Sequence, residues 1–150
     1  GDGSDLLVYD TSLGKIGGLI CWENYMPQAR MCLYDQAIEI YVAPTADHRD
    51  SWQHTIRHIA MEGRCFVLSC NQFVAREDYP LDLPGEAVEQ LPNILSRGGS
   101  TVIDPLGNPL VDPLWDMGGI IYANLSSDLL IQSKMDFDVT GHYARKDLFP

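Results

Sequence analysis

Long apolar runs are missing from this 150-residue chain. Nothing in it approaches the roughly 18–20 consecutive apolar residues needed to cross a bilayer, so no membrane partner is expected. Cations are scarce: 10 Lys and Arg stand against 21 Asp and Glu, for a net charge of −11. With no basic cluster or stripe, nucleic-acid binding drops out. An acidic chain also needs no anionic surface as a partner. Cysteine is sparse, and Cys21, Cys32, Cys65 and Cys70 form neither a Cys-x-x-Cys pair nor a zinc-knuckle spacing. They read as free thiols of a reducing, cytoplasmic compartment, although spacing alone leaves a disulfide between two of them open. The opening "GDGSD" has no basic n-region and no apolar h-region, so it is not read as a secretory signal. It also lacks a methionine and reads as the inside of a loop. Internal repeats and low-complexity tracts are absent as well. What remains is an ordinary globular composition, 45% hydrophobic, long enough for one domain with a real core.

The patterning alternates. "LLVYD", the turn "TSLGK" and "IGGLICW" read as a hairpin, with Gly17 and Gly18 marking a close approach of another backbone. In "NYMPQARMCLYDQAIE", Asn24 can cap and Pro27 fits a first helical turn, and Met31, Tyr34, Ala37 and Ile38 recur at helical spacing. "IEIYVAPTA" is a strand ending at Pro44. A helix follows over "DHRDSWQHTIRHIAMEGR", capped by Asp47 or Asp50, with Trp52, Ile56, Ile59 and Ala60 on one face and Gly63 at its end. "CFVLSCNQF" is a continuous buried strand. "AREDYPLDLPGEAVEQLPN" is aperiodic and Pro-rich, a long surface loop. "GGSTVIDPLGNPLVDP" gives a strand, a turn and a strand, and "GGIIYANLS" one strand more. A short helix capped by Ser126 or Ser127 and an extended tail over about 134–150 complete the chain. Helices alternating with strongly apolar strands predict an α/β layered fold with helices covering a sheet.

Chemistry points first to Cys21. A cysteine in an apolar strand is ordinarily a small buried hydrophobe. Cys21, however, stands where the apolar run ends and a polar, amphipathic stretch begins. Functional groups of open α/β sheets gather at such strand ends. A helix N-terminus a few residues on is placed to favour a thiolate. Glu23, two positions later, can bond to backbone or orient a neighbour.

The whole of "GDGSDLLVYDTSLGKIGGLICWENYMPQAR" resembles the nucleophile segment of the nitrilase branch of the carbon–nitrogen hydrolase superfamily. "APT", "SWQHTIRHIAMEGRCFVLSCNQF", "GGSTVIDPLGNPL" and "KMDFDVTGHYARKDLF" continue the likeness in the family's order. Cys-Trp-Glu resembles nitrilases proper, where many amidase-type members carry a tyrosine and an aspartate. The resemblance implies a four-layer α-β-β-α sandwich, of which residues 1–150 would be the C-terminal half of one domain. It implies hydrolysis of a small-molecule nitrile to a carboxylic acid and ammonia through a cysteine thioimidate and thioester, with no cofactor and no metal. It also implies a homo-oligomer, a dimer or a spiral, built through helices like "MPQARMCLYDQA". Cys21 takes the nucleophile's position. Trp22, Glu23, Pro44 and Thr45 are candidates for the substrate pocket, and Asn71 ends a strand at the same edge.

The family's glutamate base and its lysine have no counterpart here. Lys15 falls in a hairpin turn, Lys134 and Lys146 match no catalytic position, and nothing singles out Glu39 or Glu62. The chain is therefore expected to need an N-terminal half of the same domain and to be nearly inactive alone. His54 and His58 share a helix face, with His48 and Asp50 just before, but no third metal ligand follows. His142 and Tyr143 in the tail are assigned to an interface. Two other readings stand beside the nitrilase: an amidase-type hydrolase using the same thiol, and a non-catalytic assembly piece.

Overall fold

In the computed structural model, which describes residues 2–80 and 85–149, the predicted alternation builds one mixed seven-stranded sheet. Strands β1 (Tyr9–Thr11) and β2 (Gly14–Gly18) form the hairpin. Helix α1 (Pro27–Tyr34) leads to β3 (Ile40–Val42), and α2 (Asp50–Gly63) leads to β4 (Phe66–Ser69). Then come β5 (Phe73–Ala75), a short α3 (Gly85–Glu89), β6 (Ile94–Ile103), β7 (Pro109–Trp115) and α4 (Ser127–Asp136). The spatial order is β1-β2-β3-β4-β6-β5, with β7 also paired to β6. β2, β3 and β4 run parallel, joined by crossovers through α1 and α2. A short apolar strand followed by an amphipathic helix can reach a parallel neighbour only in this way.

The helix layer covers one face of the sheet. Leu33 and Tyr34 of α1 and Trp52, Ile56, Ile59 and Ala60 of α2 join Tyr41, Ala43, Val67 and Ile103 in the core. Trp52 is completely buried and donates its indole N–H to Ser69 Oγ at 2.9 Å, so its one polar atom is satisfied. No described helix is long and apolar enough to cross a membrane.

Gly18 is the close approach that the sequence marks. A Cβ there would lie 2.1 Å from the carbonyl oxygen of Val42 on β3, whereas one at Gly17 meets mainly side chains at 3.1–3.2 Å. Gly18→Ala must push apart the parallel pair that carries the next turn. A loss of about 2 kcal/mol or more is expected, seen as a melting temperature lower by about 5 °C or more. Gly17→Ala should cost clearly less. Equal melting temperatures for the two variants would refute this account.

Several elements differ from expectation. α2 ends on Gly63 but turns left-handed at Arg64, φ 48°. Gly63 serves packing instead, since a Cβ would sit 2.3 Å from the Tyr34 ring. Asn24 does not cap α1, because Met26 holds that position. α2 has Arg49 as its cap residue rather than Asp47 or Asp50. The strand expected over "CFVLSCNQF" breaks into β4 and β5, and β6 begins at Ile94. In the expected loop at 75–93, residues 81–84 lie outside the described residues; α3 follows them. The strand expected over 118–126 does not form: the segment carries no regular secondary structure and pairs with no strand among the described residues, and Ser126 is the cap residue of α4. The tail is not extended: α4 runs to Asp136, and Asp138 accepts the N–H groups of Thr140 and Gly141 in a series of turns.

Candidate active site

β2 stops at Gly18, and the chain enters a tight 3-10 turn over Cys21–Tyr25. Cys21 opens that turn with φ 71°, in the left-handed region that a residue with a Cβ enters only under constraint. The constraint is visible. Cys21 N–H donates to the Pro44 carbonyl at 2.9 Å. The Glu23 carboxylate folds back to accept Ile20 N–H at 2.8 Å. Beneath the turn lies Asn24, completely buried. Its Nδ2 donates to the carbonyls of Leu19 and Cys21, both at 2.9 Å, and its Oδ1 accepts from Tyr41 OH at 2.8 Å. Arg30 of α1 donates to the Asn24 carbonyl at 2.7 Å and grips Glu62 of α2 with two further bonds of 2.8 and 3.2 Å. Tyr34 OH also donates to Glu62, at 2.8 Å. A buried polar network satisfied at every member is rigid, and this one ties the Cys21 turn to both helices.

The second part of the site is the chain leaving β3. Thr45 N–H donates to the Cys70 carbonyl and pairs in parallel with Asn71, so the edge is held against β4. Thr45 Oγ1 stands 3.4 Å from Cys21 Sγ and accepts Asp47 N–H at 2.9 Å. With that lone pair occupied, the hydroxyl proton is free to point at sulfur. Asp47 is buried. Its carboxylate accepts Arg49 Nε at 2.7 Å, Arg49 Nη2, and Trp22 Nε1 at 3.2 Å, while its carbonyl accepts Asn71 Nδ2 at 2.7 Å. The Arg49 guanidinium lies 5.6 Å from the Trp22 ring centre, within cation–π range.

These groups enclose an open depression of about 320 Å³, lined by Cys21, Trp22, Ala46, Asp47, His48 and Arg49. The Cys21 thiol is held below its ordinary pKa. The Thr45 hydroxyl is the main cause; burial opposes it, the backbone N–H groups of Ala46 and Trp22 assist, and the Asp47 charge opposes. Asp47 itself is held at about 2, chiefly by its hydrogen bonds from Arg49. The expected helix N-terminus is not what favours the thiolate, because α1 begins six residues further on, at Pro27. Cys65, by contrast, is a core residue whose burial pushes its thiol up to about 12.

The other sequence candidates separate. Trp22 walls the depression and Thr45 touches the sulfur. Pro44 holds the Cys21 backbone and Glu23 braces the turn, and neither lines the depression. Lys15 pairs with Asp10 at 3.8 Å and Lys146 with Asp35 at 3.4 Å. Glu39 accepts Lys15 N–H, and Glu62 is taken by Arg30 and Tyr34. His58 lies 3.5 Å from Glu62, a turn away on α2. The His142 and Phe137 rings pack on Tyr143. Sequence reading missed Asp47 and Arg49 as site residues. The one available signal was "DHRD", an acid two residues before a base at a strand edge.

Comparison with known proteins gives the family. A family model described as carbon-nitrogen hydrolase matches residues 1–135. The chain is 49% identical over 149 residues to a nitrilase of Bradyrhizobium diazoefficiens, with 99% of the chain aligned to 46% of that protein. It is 48% identical over 162 residues to an arylacetonitrilase of Trametes versicolor, 99% against 51%. It is 51% identical over 154 residues to a bifunctional nitrilase/nitrile hydratase of Nicotiana tabacum, 99% against 44%. The chain thus spans about half the length of the curated relatives it matches. Among solved structures it resembles Saccharomyces cerevisiae Nit3, with a TM-score of 0.72 and 21% identity, covering 97% of this chain and 49% of that one. A carbon-nitrogen hydrolase from Helicobacter pylori gives 0.73 and 19%, over 95% and 50%. At those identities the likeness is one of fold.

Proposed function

Because the chain belongs to the carbon–nitrogen hydrolase family, we propose that it is the nucleophile-bearing C-terminal half of a nitrilase, with Cys21 as the nucleophile. The observation that carries the reading is the Cys21 turn. It sets a thiol in a left-handed conformation at the mouth of a depression, with a hydroxyl aimed at its sulfur. Backbone strain of this kind concentrates at functional sites. Relatives named as nitrilases support a nitrile substrate.

The chemistry runs in two halves. The Cys21 thiolate adds to the nitrile carbon, and the nitrogen takes a proton, giving a thioimidate. Water adds to that carbon, ammonia leaves, and an acyl-thioester remains. A second water displaces the thiol, so that R–C≡N and two waters become a carboxylate and ammonium. Splitting one hard hydrolysis into two additions is what covalent catalysis offers. Thr45 stabilises the thiolate before attack and after each release. Trp22 gives the substrate an apolar wall.

Proton transfer and stabilisation of the developing charge need a base and a cation. Among the described residues no lysine or glutamate lines the depression. We assign both tasks to a glutamate and a lysine of an N-terminal half. Segment 118–125, which pairs with no strand among the described residues, supports a docking half of this kind. Ile120 and Tyr122 are strongly exposed on it, apolar surface that a docking half would cover. Homo-oligomerisation through α1 completes the reading.

The test uses the longer protein. Its turnover of an aryl nitrile is compared with that of the matching amide, by ammonia release and by product. The nitrile should be the better substrate and the acid the main product. A faster amide would make it an amidase, and silence towards both would leave an assembly piece.

A further inference from the structure

Asp47 is oddly placed for a site that needs a thiolate. Its side chain is only 4% exposed and lines the same depression as Cys21. A carboxylate there opposes the ionisation of the thiol, since like charges in a poorly solvated site disfavour one another. The fold nevertheless holds it firmly. Its carbonyl is fixed by Asn71, its N–H orients the Thr45 hydroxyl, and its carboxylate pins the Trp22 indole. Arg49 is the group that answers the charge. Its guanidinium takes both carboxylate oxygens, one from Nε and one from Nη2, and its ring-facing side lies over Trp22.

Resting on the reading of Cys21 as nucleophile, we propose that Arg49 is a further functional residue: acting through Asp47, it keeps a buried carboxylate beside Cys21 from repelling the thiolate. Arg49 touches neither the thiol nor the reacting carbon, so its effect is electrostatic and indirect. Among the described residues, the charged and titratable groups around the thiol are few. Asp47, His48 and Arg49 line the depression from the loop after β3. On the thiol's own turn Glu23 faces Ile20 N–H, and the Tyr25 hydroxyl meets Thr55 of α2. Cys70 stands exposed just past β4.

The experiment compares Arg49→Gln, Asp47→Asn and the double variant in the longer protein. Iodoacetamide labels the thiols, and the Cys21 peptide is followed by mass from acid to alkaline pH. The exposed Cys32 and Cys70 are internal controls in the same sample. Arg49→Gln should slow Cys21 labelling at neutral pH about fivefold or more, leaving Cys32 and Cys70 unchanged. Asp47→Asn should label at least as fast as the wild type. Adding Asp47→Asn to Arg49→Gln should restore the rate, because the uncompensated charge is gone. A double variant as slow as Arg49→Gln overturns the proposal, as does parallel movement of all three thiols, which would mean general loosening. Labelling does not depend on turnover, so a protein silent towards nitriles would refute the nitrilase reading and still decide this one.

Discussion

Cys21→Ala in the longer protein is expected to lower kcat for a nitrile by at least about 10⁴-fold while leaving the fold intact. No other described group can take over covalent attack, and removing a nucleophile costs nearly the whole rate advantage of a catalytic unit. Cys21→Ser should be almost as poor, because Thr45 can favour a thiolate at neutral pH but cannot ionise an alcohol. Stability should separate from activity. Alanine keeps the turn and its left-handed φ, so its unfolding free energy should match the wild type to within about 0.5 kcal/mol. Cys21→Gly removes the steric cost of that φ and should be more stable than Cys21→Ala by about 1 kcal/mol, though inactive. An inactive yet more stable glycine variant would show that the turn holds its nucleophile under strain. A glycine variant less stable than alanine would remove that part of the account.

Much of this was legible in the chain, for reasons that differ by residue. The apolar runs and helical periods fix which segments are strands and helices, because burial on a sheet is a local demand. Gly18 could be read as a close approach because only a glycine tolerates a backbone carbonyl at that distance. Cys21 could be read because the apolar run of the sequence ends on it, although β2 itself stops at Gly18 and the thiol sits on the turn that follows. Asp47 and Asn24 could not be read in the same way. Either residue caps a helix or anchors a turn with the same side-chain chemistry, and both stand near a helix start. Asn24 is instead buried under the turn by Tyr41, seventeen positions away, and Asp47 is claimed by Trp22, twenty-five positions back. Partners at that separation are set by the parallel register of β2, β3 and β4, which periodicity does not reveal. The strand expected at 118–126 marks the converse case. Its pattern is strand-like, and what it lacks is a neighbour among the described residues.

Breaking the Arg30–Glu62 pair should be the most damaging change to stability. The Arg30 side chain is 9% exposed and bonds to the Asn24 carbonyl and to both Glu62 oxygens. Arg30→Met takes the guanidinium from a half-buried carboxylate, leaving it only Tyr34 OH and His58 nearby, and leaves the buried Asn24 carbonyl without that donor. Removing one partner of such a pair costs about 3–5 kcal/mol, here a melting temperature lower by about 10 °C. Glu62→Gln should cost only about 1–2 kcal/mol, because the single glutamine oxygen can still accept from Arg30 Nε and Tyr34 OH while the bond from Arg30 Nη2 is lost. The two variants should also differ with pH. Burial works against the Glu62 charge, but the bonds from Arg30 and Tyr34 outweigh it, so its folded pKa lies below the ordinary 4.5. A depressed carboxylate contributes stability that is complete above the unfolded pKa and is lost as pH falls through the folded one. The gap between the wild type and Glu62→Gln should therefore be full above about 4.5 and close in more acid solution, as chemical denaturation at a series of pH values would show. A gap that widened in acid would reverse the assigned sign. Because Arg30 also holds the turn from which Cys21 projects, the folded fraction of Arg30→Met should lose turnover as well. A variant with fully preserved kcat per folded molecule would mean that Asn24 and Pro44 hold the thiol without help from the helices.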